Sequence, residues 1–228
     1  MRARLATLKV MLVALPLAVG ACATTGPATS ADEGATAATA SSKTPTSAYS
    51  MRWDHRPESD RWTSTAVSAL RTHGSALPAT VPQDIENWCP GYADASQAER
   101  EAFWVGLISA LAKYESTWNP AAVGGGGRWF GLVQISPATA QSYGCAAKSG
   151  SALKDGANNV SCAIRIMART VTRDGVVSQG MRGVAADWGP FHTAAKREDM
   201  KAWTRSQPFC QPKAKAALSN PFRNKRDG

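Results

Sequence analysis

Histidine is scarce in this sequence, and neither histidine nor cysteine has the spacing of a metal site. His55, His73 and His192 are scattered along the chain, and there is no C-x-x-C or H-x-x-x-H pair. Zinc sites commonly draw their ligands from such closely spaced pairs. We therefore expect each histidine to be an ordinary surface or core residue, and we expect neither a metal nor an organic cofactor.

The start of the chain has an apolar run, but this run is too short to span a bilayer. It covers residues 10–19 and is preceded by Arg2, Arg4 and Lys9, a pattern typical of a secretory signal. The four residues VGAC that end at Cys22 resemble the lipobox of bacterial lipoproteins, in which cleavage makes the cysteine the first residue and the cysteine is acylated. We expect a signal peptide at residues 1–21 and a lipid anchor at Cys22. The alternative is an ordinary signal peptide with an incidental cysteine.

Large apolar residues are also missing between Ala23 and Tyr49, where the chain is almost wholly Ala, Thr, Ser, Gly and Pro. Such a segment cannot bury a core, so we expect a flexible linker over residues 22–50. Residues 51–212 have the length of one domain and contain no internal repeat. We expect the core of this domain at about residues 89–210, with residues 51–88 wrapped around it or forming part of a binding surface. Residues 213–228 predict a loose basic tail.

Four cysteines remain when Cys22 is set aside, and an even number in an exported chain favours disulfides. Three pairings are possible. We favour a local bond between Cys145 and Cys162, and a bond between Cys89 and Cys210 that closes the whole domain.

The secondary-structure signal is mainly helical. Apolar residues recur at helical spacing after Ser96, which has capping-box spacing to Glu99, and predict a helix that runs to Glu115. Ser136 and Pro137 have the pattern of the first residues of a short helix that ends near Gly144. Further helical segments are expected at residues 159–173, 181–187 and 193–205. Strand signal is poor, and we expect at most a small hairpin within residues 123–135.

Glu115 is the most informative residue of the chain. It lies on the same helical face as Leu111 and Ile108, where an apolar residue would be expected. Burial disfavours the charged form of a carboxyl group and raises its pKa, which allows the group to donate a proton near neutral pH. Glu99 and Glu101, in contrast, lie in the first helical turn, where negative charge is favoured by the helix dipole.

Two motifs around Glu115 resemble those of the lysozyme-like lytic transglycosylases. They are Glu115-Ser116 followed by Asn119-Pro120, and the run GLVQISPATA at residues 131–140. Asn159 with Val160 is similar to the third motif of the family, although Ala163 and Ile166 replace a common glycine and aromatic residue. The fourth motif departs further, because residues 185–190 read AADWGP where an aromatic-Asn-x-Gly segment is usual. The resemblance covers about residues 103–191.

The resemblance implies a mainly α, lysozyme-like fold of the goose-type lysozyme and transglycosylase group. It implies cleavage of the β-1,4 bond between N-acetylmuramic acid and N-acetylglucosamine in peptidoglycan, with formation of a 1,6-anhydromuramoyl end. Glu115 would be the catalytic acid and base. Residues implied to bind substrate are Ser116, Gln134, Ile135, Tyr143, Asn159 and Trp188.

Several of these residues have structural alternatives. Ser116 could instead close the helix end, Gln134 could satisfy buried loop backbone, and Tyr143 could pack beside a helix. Trp118, Trp129 and Trp188 could stack on sugar rings or could belong to the core. If water rather than a sugar hydroxyl is the nucleophile, a second acid is needed, and the candidates are Asp155, Asp174 and Asp187.

The formal net charge of +9 falls to +6 when the three basic residues of the expected signal peptide are removed, and basic residues gather toward the end of the chain. This excess could bind nucleic acid, anionic lipid or an acidic wall polymer, or it could be a solvated helix face and tail. Export makes nucleic acid a poor partner, whereas peptidoglycan would be encountered at once. Ala23 is not the aspartate that would favour inner-membrane retention of a lipoprotein, so we expect attachment to the outer membrane facing the periplasm. Two other functions stay open: a goose-type-lysozyme-like muramidase that activates water, and a wall-binding lipoprotein without activity.

Overall fold

The computed structural model describes residues 49–213, and helices dominate this part of the chain. A two-stranded antiparallel sheet, β1 (Val123–Gly124) and β2 (Trp129–Phe130), is the sheet of the described segment. The α-helices are α1 (Ser59–Arg71), α2 (Ala76–Ala79), α3 (Gln97–Glu115), α4 (Pro137–Ser142), α5 (Gly150–Leu153), α6 (Gly156–Asp174) and α7 (Ala194–Ser206). Short 3-10 turns occupy Ile85–Asn87, Tyr92–Asp94, Gln179–Met181, Gly183–Ala186, Gly189–Phe191 and Pro208–Cys210. The expected mainly α fold with a small hairpin is confirmed.

Helix α3 is the central element of the core. Its N-terminus has the predicted capping box, in which the Ser96 side chain accepts from the Glu99 backbone and the Glu99 side chain accepts from the Ser96 backbone. Every residue from Glu101 to Ala112 is buried, as expected for a helix surrounded by other elements. Helices α1, α2 and α7 pack against α3. This packing fixes the position of Glu115, the last residue of α3.

The buried acid of α3 differs from the sequence-based interpretation. Glu101 is fully buried, and Arg71 of α1 donates two hydrogen bonds to its carboxylate, at 3.0 and 2.8 Å. Gln97 donates a further bond at 3.2 Å. The role of Glu101 is therefore to join α1 to α3 through a charge-assisted contact, rather than to interact with the helix dipole alone.

Helix α6 lies against α1 and supports the loops on the other side of the core. It begins at Gly156, three residues before the predicted start, because the Asp155 side chain accepts from the Asn158 backbone and caps it. Gly156 is required by close packing, since a Cβ atom there would lie 2.2 Å from Nε1 of Trp62. Gly175 ends the helix in the left-handed conformation, with φ of 69°.

The helical stretch predicted at residues 181–187 is confirmed in part, since it is helical but not an α-helix. This segment forms 3-10 turns instead, because Gly180, Met181 and Gly183 all have positive φ, which an α-helix excludes. The predicted helix at residues 193–205 is confirmed as α7, and the short helix after Ser136 is confirmed as α4.

Both favoured disulfides are formed. Cys89–Cys210 joins the segment before α3 to the chain after α7, and Cys145–Cys162 joins the loop after α4 to α6. Residues N-terminal to Cys89 also belong to the core, because Trp53, Trp62 and Trp88 are buried.

The predicted signal peptide, Cys22, residues 22–48 of the linker and residues 214–228 of the tail lie outside the described residues. Lys213, where the predicted tail begins, donates to the Glu99 carboxylate at 2.7 Å. Among residues 49–213, no helix combines the length and apolar character that crossing a membrane requires.

Candidate active site

The C-terminal end of α3 places Glu115 at a sharp change of chain direction. Thr117 and Trp118 follow with φ of 53° and 56°, a left-handed conformation that costs a non-glycine residue about 1 kcal/mol or more. The backbone N–H of Trp118 donates to the Ala112 carbonyl, and its indole N–H donates to the Ser109 carbonyl at 2.8 Å. These bonds hold the strained turn and fix the position of Glu115.

The Glu115 carboxyl group is half-buried, and within residues 49–213 it has no hydrogen-bond partner. Burial raises its pKa from the ordinary value of 4.5 to about 7, and the positive charge of Lys196 in α7 opposes this rise. A carboxyl group with this pKa exists in both protonation states at neutral pH. It can therefore donate a proton and later accept one.

A loop at residues 130–135 lies beside the end of α3. The Ser116 hydroxyl donates to the Leu132 carbonyl at 2.7 Å and so ties this loop to the helix end. The contact supports the structural alternative for Ser116, because its only proton is used within the protein. Its oxygen can still accept a hydrogen bond.

Gln134 also stabilises this loop. It has φ of 52°, and its side-chain amide donates to the Gly131 carbonyl at 2.9 Å and to the Ala122 carbonyl at 3.3 Å. The contacts favour the alternative in which Gln134 satisfies loop backbone. They also join the loop to the segment that leads into the hairpin.

Three residues predicted to bind substrate are buried: Asn159 and Trp188 lie behind the loop, and Ile135 is the last residue of the loop itself. Asn159 accepts from the Val133 backbone at 2.9 Å and donates to the Phe130 and Leu153 carbonyls at 2.9 and 3.0 Å. The Trp188 indole donates to the Val133 carbonyl at 2.8 Å. Asn159, Trp188 and Ile135 have at most 3% of their surface exposed. These side chains support the loop from within the core, and contact of these residues with substrate stays a prediction.

Tyr143 lies at the end of α4, and its hydroxyl donates to the Asp187 carboxylate at 3.2 Å. Burial raises the pKa of Asp187, and the hydrogen bond from Tyr143 opposes that rise. The pair connects the second motif to the altered fourth motif, which contains Asp187. Asp187 is an exposed residue, so this second carboxyl group is accessible to solvent.

The other candidate acids serve as structural partners. Asp155 caps α6 and accepts from Arg61 at 2.8 Å. Asp174 accepts from Arg173 and from the Gly183 backbone, each at 2.7 Å. The sequence has no aspartate or glutamate between Glu115 and Asp155. The hairpin and the loop at residues 130–135 therefore contain no second acid.

The three tryptophans considered for sugar stacking have different surroundings. Trp188 is buried, and Trp118 packs edge-on against His55 with ring centroids 4.6 Å apart. Trp129 on β2 is 43% exposed, with the Arg128 guanidinium 5.0 Å from its ring centroid. Of these three, Trp129 is the most exposed.

Lys196 is the residue near Glu115 that the sequence-based prediction of the site omitted. Its ammonium lies 5.5 Å from the Tyr114 ring centroid, and among the described residues it has no carboxylate partner. Lys113 on the same ring is paired with Asp199 at 3.3 Å. In the sequence, Lys196 was one of many basic residues near the end of the chain, and no local pattern relates it to α3.

Comparison with known proteins relates the same segment to one family. Residues 94–182 match the family model described as the transglycosylase SLT domain. The match contains Glu115 and all the residues predicted to bind substrate except Trp188. The lysozyme-like fold class expected from the sequence is thereby confirmed.

Three solved chains match, and all are structures of DslA. The wild-type protein in its form 2 is 29% identical with a TM-score of 0.63, and the match covers 69% of this chain and 95% of that chain. A variant with one glutamate changed to glutamine is 28% identical with a TM-score of 0.64, and the match covers 71% of this chain and 97% of that chain. No curated protein matches the sequence.

Proposed function

We propose that this protein is a peptidoglycan lytic transglycosylase with Glu115 as its catalytic acid and base. One observation carries the proposal. Within a segment that matches the transglycosylase SLT domain, the strained end of α3 holds a half-buried carboxyl group with a pKa raised to about 7. Such a group has the protonation behaviour that general acid and base catalysis at neutral pH requires.

The proposed reaction cleaves the β-1,4 bond between N-acetylmuramic acid and N-acetylglucosamine. Protonated Glu115 gives its proton to the glycosidic oxygen, which leaves with the electron pair of the broken bond. The substrate's acetamido oxygen stabilises the positive anomeric carbon, as in other substrate-assisted reactions. The ionised Glu115 then accepts the proton of the muramoyl C6 hydroxyl, while the oxygen of that hydroxyl bonds to the anomeric carbon. The product is a 1,6-anhydromuramoyl end, and Glu115 regains its proton.

The buried residues behind the loop act as positioning residues in this proposal. Asn159 and Trp188 hold the backbone of Val133, while Ser116 holds Leu132. A rigid loop next to Glu115 allows backbone groups and the oxygen of Ser116 to orient the sugar. The exposed face of Trp129 is suited to stacking against a sugar ring.

Hydrolysis is the second candidate, and the Tyr143–Asp187 contact is the observation that favours it. Asp187 is an exposed residue whose pKa is raised, and it could orient water in a muramidase. Two observations support the lyase instead. Asp155 and Asp174 are engaged in structural contacts, and no acid occurs between residues 115 and 155.

The cellular placement is also a proposal. The lipobox-like sequence at Cys22 supports a lipid anchor, and the two disulfides support an oxidising compartment. Anchoring in the outer membrane facing the periplasm, with a linker over residues 22–50, would bring the domain to the wall.

The general-acid role is tested by measuring the release of soluble fragments from purified sacculi by the full-length protein and its Glu115→Gln variant. We expect release to fall by about two orders of magnitude or more, with sacculus binding kept, because glutamine cannot supply the proton. Glu86→Gln is the matched control, since Glu86 is exposed and its substitution causes the same change in charge. Equal release by Glu115→Gln and wild type would refute the role. Binding without release by the wild type would favour the wall-binding alternative.

A further inference from the structure

A cleft that contains none of the predicted site residues lies between α7 and the turn at Gln179–Met181. Its volume is about 350 Å³, and its walls include Trp88, Met181, Arg197 and Lys201. A second hollow of about 400 Å³ lies along the same helix and is lined by residues that include Lys201 and Arg205. Asn87 and Lys201 line both hollows, so the two are adjacent, and we call them together the α7 groove.

Three cations lie along the α7 groove at a spacing of four residues. Arg197, Lys201 and Arg205 therefore share one face of α7 and line the groove from end to end. This row is separate from Lys196 and Asp199, which face Tyr114 on α3. The groove thus offers several positive charges in a line rather than one isolated cation.

Acidic residues only partly balance these charges. Glu198 pairs with Lys201 at 3.0 Å and with Arg197 at 3.6 Å, but its side chain is 61% exposed. Solvent screens such an exposed pair strongly, so a ligand can compete for the cations. The Asp84 carboxylate also lines the groove, but it accepts hydrogen bonds from three backbone N–H groups, of Val177, Ser178 and Gln179.

The walls of the groove are held in place by buried contacts. The bonds to Asp84 fix the turn on one side. On the other side, the Thr204 hydroxyl donates to the Trp88 carbonyl at 2.8 Å, and the Lys201 ammonium lies 5.6 Å from the Trp88 ring centroid. The Arg197 side chain donates to the Phe191 carbonyl at 2.9 Å. A groove that exists before its ligand arrives loses less entropy on binding.

One rim of the α7 groove is apolar. The Met181 side chain is 54% exposed and belongs to a turn in which Gly180, Met181 and Gly183 have positive φ. A thioether beside cations suits a ligand that combines carboxylates with small apolar side chains. Short acidic peptides have this chemistry.

We propose that the α7 groove binds the acidic stem peptides attached to the glycan strands. Arg197, Lys201 and Arg205 would bind the peptide carboxylates, and Met181 would contact the alanine side chains. The choice of this peptide rests on the proposed function, because it is the acidic peptide of the polymer that Glu115 would cleave. Binding there would hold the enzyme on strands that carry peptides, independently of the bond-breaking step.

The test is a sedimentation assay that measures binding of full-length Glu115→Gln protein to sacculi. One added variant is Lys201→Glu with Arg205→Glu. Its matched control is Lys148→Glu with Lys154→Glu, two exposed cations outside the groove with the same change in net charge. Binding of the groove variant and of the control variant is measured on intact sacculi and on glycan strands stripped of peptide by an amidase. We expect the groove variant to bind intact sacculi about tenfold more weakly than the control, and both to bind stripped glycan equally.

Other outcomes would overturn the proposal. Equal binding of the groove and control variants to intact sacculi would mean that the groove takes no part. An equal loss on stripped glycan would mean that the ligand is not the peptide. Weakened binding to phosphatidylglycerol vesicles with unchanged binding to sacculi would assign the groove to a lipid headgroup.

Folding and catalysis are separated from this result by two further measurements. Thermal unfolding verifies that the charge reversals leave the domain folded, and Lys201→Gln with Arg205→Gln should give an intermediate loss of binding. The release of soluble fragments from intact sacculi by the wild-type protein measures cleavage separately from binding. A wild type that releases no product while the groove variant still loses binding would refute the proposed function and leave the groove proposal standing.

Discussion

Replacing Glu115 by glutamine should stabilise the fold at high pH while it removes activity. In the folded state, burial raises the pKa of Glu115 from 4.5 to about 7, whereas the unfolded chain keeps the ordinary value. Between these two pH values the folded state binds the proton more tightly than the unfolded state. Stability of the wild type therefore falls as pH rises through this window, and it levels off above about pH 7. Glutamine has no charge and escapes this loss.

The size of the effect follows from the pKa change. One pKa unit corresponds to about 1.4 kcal/mol, so the rise to about 7 sets an upper limit of about 3 kcal/mol at pH 8. Because the carboxyl group keeps some contact with solvent, we expect about 1–3 kcal/mol in favour of the variant. In a domain of this size this is a difference of about 3–9 °C in Tm. Below pH 4.5 the two proteins should be equally stable.

The measurement is urea unfolding of wild type and Glu115→Gln at several pH values from 4 to 9. The difference in free energy of unfolding should grow between pH 4.5 and 7 and then stay constant. Glu86→Gln, which removes the same charge at an exposed position, is measured as the control. A difference between wild type and Glu115→Gln that does not vary with pH would refute the conclusion that Glu115 is ionised only at an energetic cost.

Three further predictions concern the surroundings of Glu115 and the domain as a whole. Lys196→Gln should raise the pKa of Glu115 further, because the ammonium of Lys196 lowers that pKa in the wild type. The alkaline limb of the pH profile of kcat/KM should then move to higher pH. An unchanged profile would contradict this prediction. Asn159→Ala removes three hydrogen bonds and leaves the Val133 N–H and the Leu153 carbonyl without these partners, whereas the Phe130 carbonyl keeps its bond from the Ile135 backbone; it should lower the free energy of unfolding by about 3 kcal/mol. A loss under about 1 kcal/mol in urea unfolding would be inconsistent with the observed contacts. The Cys89–Cys210 bond spans 121 residues, and its removal by double serine substitution should lower the free energy of unfolding by about 4–5 kcal/mol. Removal of Cys145–Cys162, which spans 17 residues, should lower it by about 3 kcal/mol. The reverse order in thermal unfolding would contradict the chain-entropy argument.

Local signals in the sequence were sufficient to predict the helices that carry the site. The capping box at Ser96 and Glu99 and the N-cap and proline at Ser136 and Pro137 act within a single turn. Their effect therefore does not depend on the rest of the fold. The position of Glu115 on an apolar face likewise followed from helical spacing alone, and the structure places it at the last residue of α3.

The roles of the residues around Glu115 could not be predicted in the same way. A motif shows that Asn159, Trp188 and Ile135 occur together with Glu115, but not whether they face substrate or the back of a loop. Their direction depends on how α6 and the segment after it pack against residues 130–135. The structure shows all three turned into the core.

Contacts between distant segments were also beyond local patterns. Lys196 lies near Glu115 because α7 packs against α3. Arg71 forms its ion pair with Glu101 because α1 also packs against α3. Positive φ at Met181 was missed for a related reason. Tertiary contacts, such as the hydrogen bonds that the backbone N–H groups of residues 177–179 donate to the Asp84 carboxylate, fix a turn where the sequence favoured a helix.

The most direct test of the central claim is the mass of the soluble products that the full-length protein releases from purified peptidoglycan. The account predicts muropeptides that end in 1,6-anhydromuramic acid, each lighter by one water than the hydrolytic product, and their absence with Glu115→Gln. Products with reducing muramic ends would contradict the account and would direct attention to the Tyr143–Asp187 pair as the source of a second catalytic acid.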